Sequence, residues 1–213
     1  MDITYLLIVL IVTTTSMILH ELMHGVVAYL LGDDTAKANG RLTLNPLKHL
    51  DPFMSVLLPL LLAISGGPVF GGAKPVPIDT RNLKYKEWGF ALVAVAGPVT
   101  NILLAFIGFL IGHFTGLLYA GIPFWSLFMS AWISINLGFA IFNMIPIPPL
   151  DGSRVLYAIA PDFVRNIMAQ MERFGMIIVF GLVMIFGTAL SSFMSGAMDG
   201  ILTAFYWIIG VHF

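Results

Sequence analysis

His20, Glu21 and His24 fall in the run His-Glu-Leu-Met-His, within a stretch that is otherwise lipid-soluble, Tyr5 to Leu31. Ionisable groups in the hydrocarbon cost a few kcal/mol each on insertion scales, so a cluster of them within one helical turn demands a compensating partner. A metal ion fits that demand. Residues four apart share a helix face, so His20 and His24 can turn ring nitrogens toward one Zn²⁺. Glu21, next to the first histidine, can then take a proton from a water that attacks an amide. The bland alternative is a pair of core histidines held by hydrogen bonds with a chance glutamate between them. The insertion cost and the complete motif weigh against it.

The elements that must position these groups are membrane helices. Of 213 residues, 59% are hydrophobic and only 10% charged, with a mean hydropathy of +0.96, far from the balance of a soluble globular protein. A net charge of −1 leaves no basic surface that would displace counterions from nucleic acid, so that class of partner is excluded. With no cysteine there is neither disulfide nor thiolate ligand, and a metal must be held by nitrogen and oxygen. The first apolar stretch lacks a basic leader and a small-residue cleavage pattern and carries the motif itself, so it reads as a retained span.

Apolar stretches recur at Tyr5 to Leu31, Phe53 to Phe70, Trp88 to Gly112, Phe124 to Ile145, Phe174 to Leu190 and Met198 to Val211. A helical crossing takes about 20 residues, so the expected fold is an all-α polytopic membrane protein of about five to six transmembrane helices, with 1–213 as a single domain. The second stretch is interrupted by Pro59, Gly66, Gly67 and Pro68, which free backbone groups that lipid cannot satisfy. The segment near 53–78 is therefore expected to be interrupted or re-entrant. Charge placement agrees. If that stretch crossed, three Lys and Arg residues would face seven, whereas re-entry places all ten on one side, the cytoplasm by the positive-inside rule. Re-entry also brings the end of the fourth stretch to the same side as the end of the first.

Two histidines leave a catalytic zinc site incomplete, because such sites use three protein ligands and an open position. The best remaining acid is Asp151, in Asn143-Met-Ile-Pro-Ile-Pro-Pro-Leu-Asp151-Gly152. Its prolines break a helix near the end of an apolar span, where bare backbone is tolerated only beside protein or a water-filled cavity. The competing reading makes Asp151 the N-cap of the next helix.

These two runs, with Ala96-Gly97-Pro98-Val99-Thr100-Asn101, Gly40 to Pro52 and Ala73 to Ile78, resemble the site-2 proteases, the M50 intramembrane zinc metalloproteases. The likeness covers most of Leu19 to Val155 and is to a compact branch without a PDZ domain. It implies His20, His24 and Asp151 as zinc ligands, Glu21 as general base and Asn143 as a group near the catalytic centre. The Asn143 amide would stabilise a developing oxyanion or, equally, make an interhelical hydrogen bond. Asn101 is weighed toward helix packing, with a role in orienting a ligand as the alternative. His49 is expected to be packed or solvated more than ligating.

The implied activity is hydrolysis of peptide bonds in or near transmembrane segments, of membrane proteins or leftover signal peptides, with the site opening to the cytoplasm from the plasma membrane. The oligomeric state is left open. The prolines in Lys74-Pro-Val-Pro-Ile78 favour an extended segment, either a strand that pairs with an unwound substrate or an ordinary interfacial loop. The competing function is a non-proteolytic membrane zinc-binding or transport protein, which would want ionisable residues along successive spans. The last two stretches contain only Asp199.

Overall fold

The computed structural model describes residues 3–49, 74–119 and 123–211. The described residues form helices α1 (Ile3–Leu30), α2 (Thr35–Ala38), α3 (Lys86–Phe114), α4 (Pro123–Asn143), α5 (Gly152–Ile159), α6 (Asp162–Glu172) and α7 (Gly175–Ile208). Short 3₁₀ turns lie at Pro46–Lys48 and Thr80–Asn82. Among the described residues four helices, α1, α3, α4 and α7, are long and apolar enough to cross a membrane. The all-α polytopic class thus holds, while the stretch Phe53 to Phe70 lies outside the described residues.

One expectation about the segments changes. The stretches Phe174 to Leu190 and Met198 to Val211 are one continuous helix, α7, of 34 residues. The intervening Ser191-Ser-Phe-Met-Ser-Gly-Ala197 lowers hydropathy but contains no proline. Hydroxyls inside a helix can bond the carbonyl four residues back, as Thr203 does to Asp199 at 2.8 Å, so polarity alone does not end it.

Helix α3 is the centre of the bundle, packed against α1, α4 and α5. Small residues let it approach: Gly97, Gly108 and Gly112 are among its buried positions. Ala105 and Phe109 of α3 meet Ile133, Leu137 and Ile141 of α4 and Phe205 of α7 in one buried apolar cluster. A second cluster, Ala28, Leu83 and Val93, joins α1 to α3.

The ends of these helices are tied together on one side. Lys84 donates its N–H to the carbonyl of Leu31 at 2.9 Å, and Lys74 donates to the carbonyl of His49 at 2.8 Å, so the described residues flanking 50–73 meet each other. Asp33, fully buried just beyond α1, accepts from the backbone of Thr35 at 3.1 Å, the backbone of Asp79 at 2.8 Å and the amide of Asn82 at 3.2 Å. This carboxylate pins the segment that precedes α3 onto the end of α1. Burial pushes the Asp33 carboxyl up, but the hydrogen bonds from Thr35, Asp79 and Asn82 outweigh that and hold it below the usual carboxylate range. A depressed folded value means stability that is present above about pH 3.9 and lost as pH falls further. Asp33→Ala should strand these donors, at about 1–3 kcal/mol for a buried group left unpaired, and lower the thermal midpoint in detergent. An unchanged midpoint would show that the segment is held by other contacts.

Candidate active site

Helix periodicity places Ser16, His20 and His24 on one buried face of α1, turned toward α3. Each imidazole is fixed by its Nδ1. His20 Nδ1 lies 2.5 Å from Oδ1 of Asn101, and His24 Nδ1 lies 2.7 Å from the carbonyl oxygen of Val93. Because both partners are acceptors, each Nδ1 carries a proton, which leaves each Nε2 as the nitrogen that can ligate a metal.

The two Nε2 atoms converge on Asp151. Its Oδ2 is 3.1 Å from His20 Nε2 and 3.4 Å from His24 Nε2, across more than a hundred residues of chain. Asp151 stands at the start of α5 but makes no side-chain cap there, which removes the N-cap reading. Gly152 makes the approach possible, since a Cβ at that position would sit 2.2 Å from the carbonyl oxygen of Met144. Gly97 does the same from α3. A Cβ there would lie 2.5 Å from His20 Nε2 and 2.6 Å from His24 Nε2, so only the bare backbone of α3 fits beneath the two rings.

Two imidazole nitrogens and a carboxylate oxygen thus face one another at ion-pair distance, a set of ligand atoms that a cation can share. Nitrogen and carboxylate oxygen are the ligands zinc takes in catalytic sites, and each histidine already has the outer hydrogen bond that such ligands use. The donor set fits Zn²⁺. The Glu21 carboxylate is also close, with one ligand atom from each of His20, Glu21 and His24 lying within 4.8 Å of the others. Asp151 is the nearer acid, and Glu21 is engaged elsewhere: its Oε2 accepts the backbone N–H of Val76 at 3.0 Å. A cavity of about 250 Å³ opens beside these groups, lined among others by Glu21, His24, Val76, Phe90, Asp151 and Arg154.

Comparison with known proteins decides the family. Residues 118–186, which include Asp151, match the model for Peptidase family M50. YwhC of Bacillus subtilis (strain 168), whose name provisionally makes it a zinc metalloprotease, is 43% identical over 211 residues, 94% of this chain and 90% of that protein. The chain belongs to peptidase family M50. A relative from Methanocaldococcus jannaschii, MJ0611, is 35% identical over 70% of this chain and 69% of its own length. Rip2 of Mycolicibacterium smegmatis is 33% identical over 77% of this chain and 61% of its own length. Both names likewise provisionally specify zinc metalloproteases. No solved structure matches. With its membrane helices and His-Glu-His group, this M50 chain is an intramembrane zinc metalloprotease, and nothing supports the transport reading.

The structure places the remaining expected residues as follows. Asn143 closes α4 and donates Nδ2 to the carbonyl of Phe139 at 3.0 Å. Asn101 is fully buried, with Oδ1 2.5 Å from His20 Nδ1 and Nδ2 donating to Asn136 Oδ1 at 2.9 Å. His49 is buried with Nε2 2.8 Å from the carbonyl of Thr43, away from the cluster. Three contributors went unseen in the sequence: the Val93 carbonyl, the Val76 N–H on Glu21, and Asn136 behind Asn101. Only Asn136 left a signal there, as a polar residue in the middle of an apolar span.

Proposed function

We propose that His20, His24 and Asp151 hold the zinc and that Glu21 is the general base of an endopeptidase acting on membrane proteins. The observation that carries this reading is the convergence of both Nε2 atoms on Asp151 with Glu21 beside them. Zinc, when bound, supplies Lewis-acid chemistry that activates water and polarises the scissile carbonyl. Glu21 takes the proton of the attacking water and returns it to the leaving amine. Its Oε2 is held by Val76, which aims the carboxylate while leaving Oε1 for the proton. Asn143 has a second Nδ2 hydrogen besides the one given to Phe139, and that hydrogen is the candidate donor to the developing oxyanion.

The substrates proposed are transmembrane segments of membrane proteins and leftover signal peptides. A transmembrane helix hides its carbonyls in internal hydrogen bonds and must be opened before cleavage. Lys74 to Ile78 borders the cavity without regular secondary structure. Val76 has committed its N–H to Glu21, so it is not the donor that strand addition would use; Val76→Pro should depress cleavage by releasing the base.

All ten Lys and Arg residues lie between α1 and α7 along the chain, and Lys74 and Lys84 sit where the segments after α1 and before α3 are tied together. By the positive-inside rule that end faces the cytoplasm of a plasma-membrane protein, and the cavity opens there. Chain 1–213 is read as one catalytic unit. The test is proteolysis of a transmembrane substrate by protein in detergent or liposomes, with His24→Ala and Asp151→Ala. Both variants should lose bound zinc and cleavage together, and cleavage at the native rate by either would remove that residue from the ligand set.

A further inference from the structure

Asn136 sits in the middle of α4 with no exposed surface, in a span whose neighbours are apolar. A buried amide must place both its donors and its acceptor, and it can sit in either of two orientations related by a half turn. Here the surroundings choose one. Asn136 Nδ2 donates to the carbonyl oxygen of Trp132 at 2.9 Å, a partner that can only accept. Its Oδ1 is thereby turned to α3, where it accepts from Asn101 Nδ2 at 2.9 Å. Asn101 is set in turn, with Oδ1 facing His20 Nδ1 at 2.5 Å. The series runs one way, from a backbone carbonyl of α4 through two buried amides to an imidazole of α1. The carbonyl of Ser16, 3.5 Å from Asn101 Nδ2, is at the limit of hydrogen bonding and offers a much weaker hold.

We propose that Asn136 is a positioning residue for the zinc site: acting through Asn101, it keeps the His20 proton on Nδ1 and so presents Nε2 to the metal. This rests on the zinc reading above. His24 needs no such device, because a backbone carbonyl holds its Nδ1 directly and cannot turn round. Asn101 can turn round. Without an acceptor at position 136 its amide gains the flipped orientation, which points Nδ2 at His20 Nδ1 and moves the imidazole proton to the metal-binding nitrogen. Asn136 then matters to zinc without touching it, as outer partners of metal ligands do.

The test is zinc affinity of the purified full chain in detergent, measured by competition with a chromogenic chelator, in a two-by-two set. Asn136→Ala alone should weaken zinc binding about 10–100-fold. In an Asn101→Asp background it should weaken binding no further, because a carboxylate presents an acceptor to His20 whichever way it turns. Asn136→Asp, which keeps an acceptor toward Asn101, should retain more of the native affinity than Asn136→Ala. Equal losses from Asn136→Ala in both backgrounds would reduce Asn136 to a packing residue and overturn the proposal. So would native affinity in the single variant, or, should Asn136→Ala not fold, a full loss of affinity in folded Asn136→Asp. Absence of zinc from the unsubstituted chain would instead count against the zinc reading itself.

Discussion

Glu21→Gln is expected to keep its zinc and to cleave a membrane substrate about 10²–10⁴-fold more slowly, the usual worth of a general base. The substitution is close to isosteric, and the amide oxygen of glutamine can still accept the Val76 N–H that Glu21 Oε2 accepts at 3.0 Å. The segment over the cavity therefore stays where it is. What disappears is proton affinity. His20, His24 and Asp151 are untouched, so metal analysis and the cleavage assay should part company. That separation distinguishes a base from a ligand: a ligand variant loses metal and activity together. Native turnover by Glu21→Gln would mean that another group moves the proton.

Gly97→Ala should abolish zinc binding while leaving the bundle folded. A methyl group there would stand 2.5 Å from His20 Nε2 and 2.6 Å from His24 Nε2, well inside contact distance, and directly at the nitrogens that must face the metal. Alanine is the better helix former by about 1 kcal/mol, so α3 itself has no reason to unfold. Either the rings turn away, breaking the hydrogen bonds to Asn101 and Val93, or α3 withdraws from α1. A loss of zinc affinity of more than about 100-fold, with circular dichroism and elution volume unchanged, is the expected result. Native affinity in a folded variant would show that the two helices can separate without harm to the site.

Much of this site could be read from residue order because its first requirement is chemical. Ionisable residues in an apolar stretch have few explanations, and the i, i+4 spacing of His20 and His24 fixes which face they share. Asp151 followed from the need for a third ligand and from a proline-broken backbone at a span end. The spans of α1, α3 and α4 were legible for the same reason: lipid imposes both length and composition. The division of α7 was not. A local fall in hydropathy through Ser191, Ser192 and Ser195 looks like a boundary in a window average, yet serine hydroxyls can bond within the helix and the backbone runs on. Contacts made by backbone atoms were equally hidden. Nothing in the residue types says that the Val76 N–H will reach Glu21 or the Val93 carbonyl His24, since every residue offers such groups and only the fold selects among them. Asn136 went unseen too, since the meaning of a polar residue in an apolar span depends here on a neighbour 35 positions away.

The claim on which all else depends is that two distant segments supply one metal site. Zinc content of purified Asp151→Ala beside the unsubstituted chain tests it most directly. About one zinc per unsubstituted chain is expected, the occupancy of a single three-ligand catalytic site, and little or none in the variant. Equal zinc in both, with cleavage intact, would contradict it.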